Sequence, residues 1–184
     1  MNTGMIAVRY ARALLEFACE RSEADLVYAE TGRLADSFVA EPLLGRTLDS
    51  PVLPANEKAA LVKTAAGGTV SGSFERFIGL VMHNRRESFL QSIALMYRDL
   101  YRKRNGISVG SLETAVPVTP ETEKRIAGLI ASETGGQVEL TTKVRPELIG
   151  GFVFEMNFRR LDASVAAQLR SVRRQFVEKN RRIV

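Results

Sequence analysis

Val138 to Ser164 reads VELTTKVRPELIGGFVFEMNFRRLDAS, and this stretch decides the fold. Val138 and Leu140 are set two apart, as in a half-buried strand, and Phe152, Phe154 and Met156 repeat that spacing further on. Between them stand Pro146 and the glycine pair Gly150-Gly151. A helix is expected to begin near Asp162, with Val165, Leu169, Val172 and Phe176 turned inward. The glycine pair lacks a third glycine and the strand-to-helix setting of a dinucleotide site, so it predicts a bulge or a close backbone approach.

Working outward, Thr119-Pro120 is a cap with proline at the first helical position, and Ile126, Leu129 and Ile130 give that helix its apolar stripe. Gly135-Gly136 ends it. Upstream, Ile107 and Val109 alternate, and Leu112, Thr114 and Val116 alternate in the opposite phase. That slip predicts a β-bulge at Gly110-Ser111. Residues 106–184 are thus expected to form a small α+β domain with a short mixed sheet.

Before Asn105-Gly106 the period is helical throughout. Ala7, Tyr10, Ala11, Leu14 and Ala18 form one stripe, and Ser22 is placed to cap a second helix carrying Val27, Thr31, Leu34 and Phe38. A short helix spans Pro42 to Leu48, and the prolines at 51 and 54 separate it from another over Ala55 to Ala66, stopped by Gly67-Gly68. Ser73 is placed to cap a helix with Phe74, Phe77, Ile78, Val81 and Met82 on one face. A last helix after Asn84 runs to about Lys103, with Phe89, Ile93, Tyr97, Leu100 and Tyr101 inward. Residues 1–105 are expected to be an all-α bundle.

Composition narrows the function. The 184 residues are 45% hydrophobic with a mean hydropathy of -0.05, and no run approaches the roughly 20 apolar residues that cross a bilayer. One cysteine, Cys19, permits no internal disulfide, and the single histidine, His83, removes most zinc and catalytic-triad arrangements. These features point to a soluble cytoplasmic protein without a metal or cofactor, and not to an enzyme. From Arg170 onward six basic residues stand against Glu178 alone, a surplus equal to the +5 of the whole chain. Such a tail suits an acidic partner, an anionic surface or simple solubility, and the alternative is a basic nucleic-acid-binding module. Against that alternative, aromatic residues for base stacking are nearly absent from the tail. Gly67 to Gly72 lacks the lysine-serine pair and the leading strand of a phosphate loop.

In chain order, Arg9-Tyr10-Ala11-Arg12-Ala13-Leu14, Leu48-Asp49-Ser50-Pro51 with Glu57-Lys58, and Phe77 to Leu100 around Asn84-Arg85-Arg86 are similar to segments of one family. So are Gly150-Gly151, with the apolar positions around it, and Asp162-Ala163-Ser164. The chain resembles the delta subunit of F-type ATP synthase, the family of the mitochondrial oligomycin-sensitivity-conferring protein. Arg145, Phe154 and Asn157-Phe158 depart from its pattern. The resemblance implies a six-helix N-terminal domain that grips N-terminal helices of alpha subunits in a groove between the first and fifth helices, exposing Tyr10, Ala13 and Val81. It implies a C-terminal domain that meets the b-subunit peripheral stalk, with Arg173 and Arg174 facing the stalk and Gly150, Gly151, Asp162 and Ser164 as structural signature residues. The implied role is that of a non-catalytic stator subunit on the cytoplasmic face of a bacterial inner membrane, reaching that membrane only through the complex and binding no nucleic acid.

Overall fold

The computed structural model describes residues 3–134, 137–156 and 159–181. The chain divides into two compact units, Met1–Asn105 and Gly106–Val184.

The first unit is helical: α1 (Thr3–Glu20), α2 (Ala24–Ala40), α3 (Leu43–Asp49), α4 (Ala55–Ala65), α5 (Gly72–His83) and α6 (Leu90–Asn105), with a 3-10 turn at Glu87–Phe89 leading into α6. Helix α6 packs on both α1 and α2, while α5 packs on α1 and α4. The core is apolar and close-set, with Ala11, Leu14, Ala18, Val27, Leu34, Phe74, Ile78, Ile93 and Tyr97 nearly or fully buried. Each large side chain buried this way contributes about 1.5–3 kcal/mol. Alanines on α1 let α6 approach closely. Tyr97 is buried, yet its hydroxyl donates to the Ala24 carbonyl at 3.1 Å and so is not stranded.

Two expected caps differ in the structure. Ser22 does not cap α2: it has φ 57 and belongs to the turn that leaves α1. The N-cap of α2 is Glu23, which makes no side-chain capping bond there. At α5 the cap is Ser71, whose Oγ accepts from the Phe74 N–H at 3.3 Å, and Ser73 is buried inside the first turn. At α5 the setting is tertiary, because the Glu30 and Glu23 carboxylates reach across to Ser71 and Ser73 at its start.

The second unit holds β1 (Ser108–Thr114), α7 (Pro120–Thr134), β2 (Val138–Val144), a 3-10 turn at Pro146–Leu148, β3 (Phe152–Met156), β4 (Arg159–Asp162) and α8 (Val165–Arg181). The sheet order is β2-β1-β3-β4; β1 and β2 run parallel with α7 as the crossover, and the other pairs are antiparallel. Leu112, Thr114, Phe152, Phe154 and Leu161 are in register on one face, which α7 partly covers with Ile126 and Ile130.

No β-bulge interrupts β1, since Gly110 and Ser111 pair continuously with both neighbouring strands. The apparent phase slip has another cause. Gly110 lies on the buried face, where a Cβ would stand 3.0 Å from the Phe154 ring and 3.1 Å from Leu140. Val109 therefore faces outward, and the Phe154 ring occupies the space a side chain at 110 would fill. The helix expected from Asp162 begins three residues later, because Arg159–Asp162 forms the edge strand β4. The predicted stripe of α8 also differs: Val165, Leu169 and Val172 are exposed. The Leu129 and Phe176 side chains, Gly135-Gly136 and Asn157-Phe158 lie outside what is described. Among the described residues no helix is long and apolar enough to cross a membrane, and no group of three or more His, Cys, Asp or Glu side chains is placed to hold a metal.

Candidate functional site

Two helices build the main candidate site. Helix α1 presents Arg9, Tyr10, Ala13, Leu14 and Phe17, and α5 presents Arg76, Phe77 and Leu80; together they line an open groove of about 520 Å³. Tyr10 and Phe77 meet edge to face at 6.4 Å between ring centroids, with a 74° interplanar angle, and Phe77 stacks on Phe74. The Asn84 amide donates to the Tyr10 hydroxyl at 3.2 Å, which ties the rim of α1 to the end of α5. Ala13 is small and exposed, so it leaves a shallow seat between the Tyr10 and Phe17 rings. Arg9 and Arg76 add positive charge at the rim, and the Arg21 guanidinium lies 4.9 Å from the Phe17 ring centre. The floor is aromatic and aliphatic. It offers desolvation and shape to an apolar helix face, and no nucleophile or acid-base pair.

The groove's position is set by how α5 is held. Glu30 of α2 is 4% exposed, and its two carboxylate oxygens accept from the Ser71 N–H at 2.6 Å and the Ser71 hydroxyl at 2.8 Å. Glu23 accepts from the Ser73 N–H at 2.8 Å. Negative charge at a helix N-terminus satisfies its unpaired donors and complements its dipole. The bonds from Ser73, with help from Arg21 and Arg76, hold the Glu23 carboxyl below its ordinary 4.5.

Of the three groove residues expected, Tyr10 and Ala13 line it and Val81 does not. Val81 is 0% exposed and points into the helical core, whereas Leu80, 50% exposed, stands at the groove. Residues 77, 78, 81 and 82 form the buried stripe of α5, and Leu80 lies one step around the helix with Arg76. The sequence signal for it was an apolar residue standing off the buried stripe. Phe17, Arg9 and Arg76 were missed for the same reason: which flank of a stripe meets a neighbour depends on tertiary packing.

The signature residues of the second unit converge at one junction. The Gly150 carbonyl accepts from the Val165 N–H at 3.0 Å, and the Ala163 N–H donates to the Phe152 carbonyl at 2.9 Å. Gly151 has φ 74, and a Cβ there would fall 2.2 Å from the Ala163 carbonyl oxygen. Asp162 Oδ1 accepts from the Ser164 hydroxyl at 2.6 Å and from its N–H at 3.1 Å, and Ser164 Oγ caps α8 by accepting from the Ala167 N–H. Those Ser164 bonds, with Arg160 and Arg170 nearby, hold the Asp162 carboxyl below its usual range. Arg145 is accommodated by Glu113, at 2.8 Å, and Glu147, at 3.3 Å. Arg173 and Arg174 are exposed on α8. A second apolar groove, about 490 Å³, opens between α7 and the sheet, with Val116, Phe152 and Leu161 exposed along it.

Comparison with known proteins gives this geometry its context. The family model described as ATP synthase delta (OSCP) subunit matches residues 6–176. The chain is 51% identical to ATP synthase subunit delta of Phocaeicola vulgatus over 185 residues, covering 100% of both chains. It is 36% identical over 174 residues to that of Heliobacterium modesticaldum, covering 94% of each. Among solved structures, a chain of the Toxoplasma gondii mitochondrial ATP synthase hexamer shares the fold, with a TM-score of 0.66 at 18% identity, over 93% of this chain and 97% of that one. The chain belongs to the ATP synthase delta (OSCP) subunit family.

Proposed function

We propose that the first unit acts as a six-helix bundle that grips an N-terminal helix of an alpha subunit in the α1–α5 groove, while the second unit, residues 106–184, meets the b-subunit peripheral stalk. The protein is a non-catalytic component of the ATP synthase and serves its stator. Rotation of the central stalk exerts torque on the catalytic head; a link between head and stalk resists it, so that proton flow stays coupled to ATP synthesis. On this reading the protein sits at the cytoplasmic face of the bacterial membrane and is held there through the complex.

The observation that carries the proposal is the groove itself. Its aromatic and aliphatic floor is open along two helices, and an amphipathic helix would lay its apolar face there with anchors at i, i+3 and i+4. Affinity would come from a few desolvated contacts at Tyr10, Phe77 and Leu80. Titration of the full chain with a peptide from the alpha-subunit N-terminus tests it. Tyr10→Ala and Leu80→Asp should each weaken binding by about tenfold or more while leaving the melt of the fold near that of the parent. A folded protein that does not take up the peptide would refute the groove.

A further inference from the structure

We propose that the groove between α7 and the sheet of the second unit binds the alkyl chain of a long-chain fatty acid, with Arg125 and Arg159 at its open side to take the carboxylate. This site is separate from the α1–α5 groove, and it does not depend on which partner either unit meets.

The groove exists because α7 covers only half of its sheet. As the crossover between β1 and β2, α7 packs chiefly on β2, at one edge of the order β2-β1-β3-β4. The apolar face of β3 and β4 is left open beside it. Leu112, Phe152, Phe154 and Leu161 make the floor, and Ile126 and Ile130 make one wall of a space of about 490 Å³. Sites for small molecules fall at about 300–1,000 Å³. Phe152 is 39% and Leu161 57% exposed, so apolar surface here stands in water until something covers it.

The lining offers no free hydroxyl to a polar ligand. The Thr114 hydroxyl donates to the Val116 carbonyl at 2.8 Å, and the Thr122 hydroxyl is bonded to that of Thr119 at 2.9 Å. An alkyl chain needs no such partner and gains only by leaving water.

Charge stands at the open side. Thr122, Ile126 and Ile130 face the groove at steps of four, and Glu123 is turned toward β2, where Thr142 donates to its carboxylate. Arg125 therefore lies on the opposite flank of α7, toward β3 and β4, with Glu121 a full turn back at the helix start. On β4, Arg159 shares the face of Leu161, two residues away, and pairs in register with Met156. The ion pairs of this unit use Arg145 and Arg170; Arg125 and Arg159 are exposed and enter none among the described residues. An apolar trough with two cations beside it matches one chain with an anionic head. A protein helix is disfavoured by size: β3 offers five residues, about 17 Å, whereas a stable protein interface takes about 20–30 residues a side.

The test titrates the full chain, by calorimetry, with octanoic, decanoic, dodecanoic and tetradecanoic acids below their micelle concentrations. Affinity should rise about fourfold for each methylene added, until the chain outgrows the groove. Dodecanol should bind about tenfold more weakly than dodecanoic acid, and Arg159→Gln and Arg125→Gln should each narrow that difference. Leu161→Asp should weaken dodecanoic acid by about tenfold or more. Because Leu161 and both arginines are exposed, circular dichroism and melting should be unchanged, which separates a lost site from a lost fold. No saturable binding by the folded protein would overturn the site. Equal affinity for acid and alcohol would overturn the anionic head group. Binding lost in Leu80→Asp and kept in Leu161→Asp would put the chain in the α1–α5 groove and overturn the assignment. An acidic amphipathic peptide that binds through Leu161 where no fatty acid does would overturn it in favour of a protein partner.

Discussion

Gly151 and Gly68 both have positive φ, 74 and 85, but only Gly151 is closely covered. A methyl at 68 would meet nothing within 4 Å, whereas one at 151 would collide with the Ala163 carbonyl. Gly68→Ala should therefore cost only backbone strain, about 1 kcal/mol, and Gly151→Ala upward of about 3 kcal/mol, because the turn into α8 must also move. Urea melts of the two variants check this, and equal losses would show that the close approach is unimportant. Lys58 is the other residue whose setting decides its effect. It is buried and pairs with Glu87 at 3.4 Å, side chains 9% and 12% exposed. Removing either partner alone leaves a poorly solvated charge, so Lys58→Ala should destabilise by about 3 kcal/mol. The double variant Lys58→Met with Glu87→Leu should recover most of that loss, because apolar groups of similar size need no partner. A double variant no more stable than the worse single one would contradict this account.

At the scale of elements, α5 shows how a helix is placed by its neighbours. Its first turn rests on the Glu23 and Glu30 carboxylates of α2, and the Glu23 carboxyl is held below 4.5 by the bonds from Ser73. A carboxyl with a lowered folded value contributes stability at neutral pH that is lost as pH falls below 4.5 and through that lowered value. Melts from pH 7 down to pH 3 should therefore show Glu23→Gln less stable than the parent at pH 7 and close to it at the acid end. A constant gap across that range would remove Glu23 as an acid-sensitive tie. The same helix shows what was legible in the sequence. Its spacing marked Phe74, Phe77, Ile78, Val81 and Met82 as one face, and all are buried. Spacing puts Val81 on the buried face and does not tell which flank borders another helix; it is the family resemblance that implies Val81 at the groove, where Leu80 stands. Nor does it choose between Ser71 and Ser73 as cap, where the Glu30 and Glu23 carboxylates reach in from 41 and 50 residues earlier in the chain. Strand β4 escaped notice because Arg159, Arg160 and Asp162 are charged and Leu161 alone is apolar, a composition suited to an edge that must not recruit another strand. The slip at Gly110 was legible as a departure from alternation, but only the position of the Phe154 ring explains it.

Across the whole molecule, the surface chemistry differs between the two units. The candidate groove of the first is apolar at its floor, with Arg9 and Arg76 at the rim. The second ends in a helix whose exposed surface is rich in arginine, and the basic surplus from Arg170 onward equals the +5 of the entire chain. Binding through a desolvated apolar floor changes little with salt, whereas exposed charges act through a screened field about 8 Å deep at physiological ionic strength. Rim charges of that kind act mainly on the association rate. On the proposed division of work, Arg173→Glu combined with Arg174→Glu should slow association with the b-subunit stalk by about tenfold at low salt, with the difference narrowing as salt rises. The same variant should bind the alpha-subunit N-terminal peptide with unchanged affinity, because neither arginine lies in the first unit. Stopped-flow association at several salt concentrations reads the first effect, and equilibrium titration reads the second. Equal losses toward both partners would mean that the tail acts through the net charge of the whole chain, and the assignment of one partner to each unit would then fail.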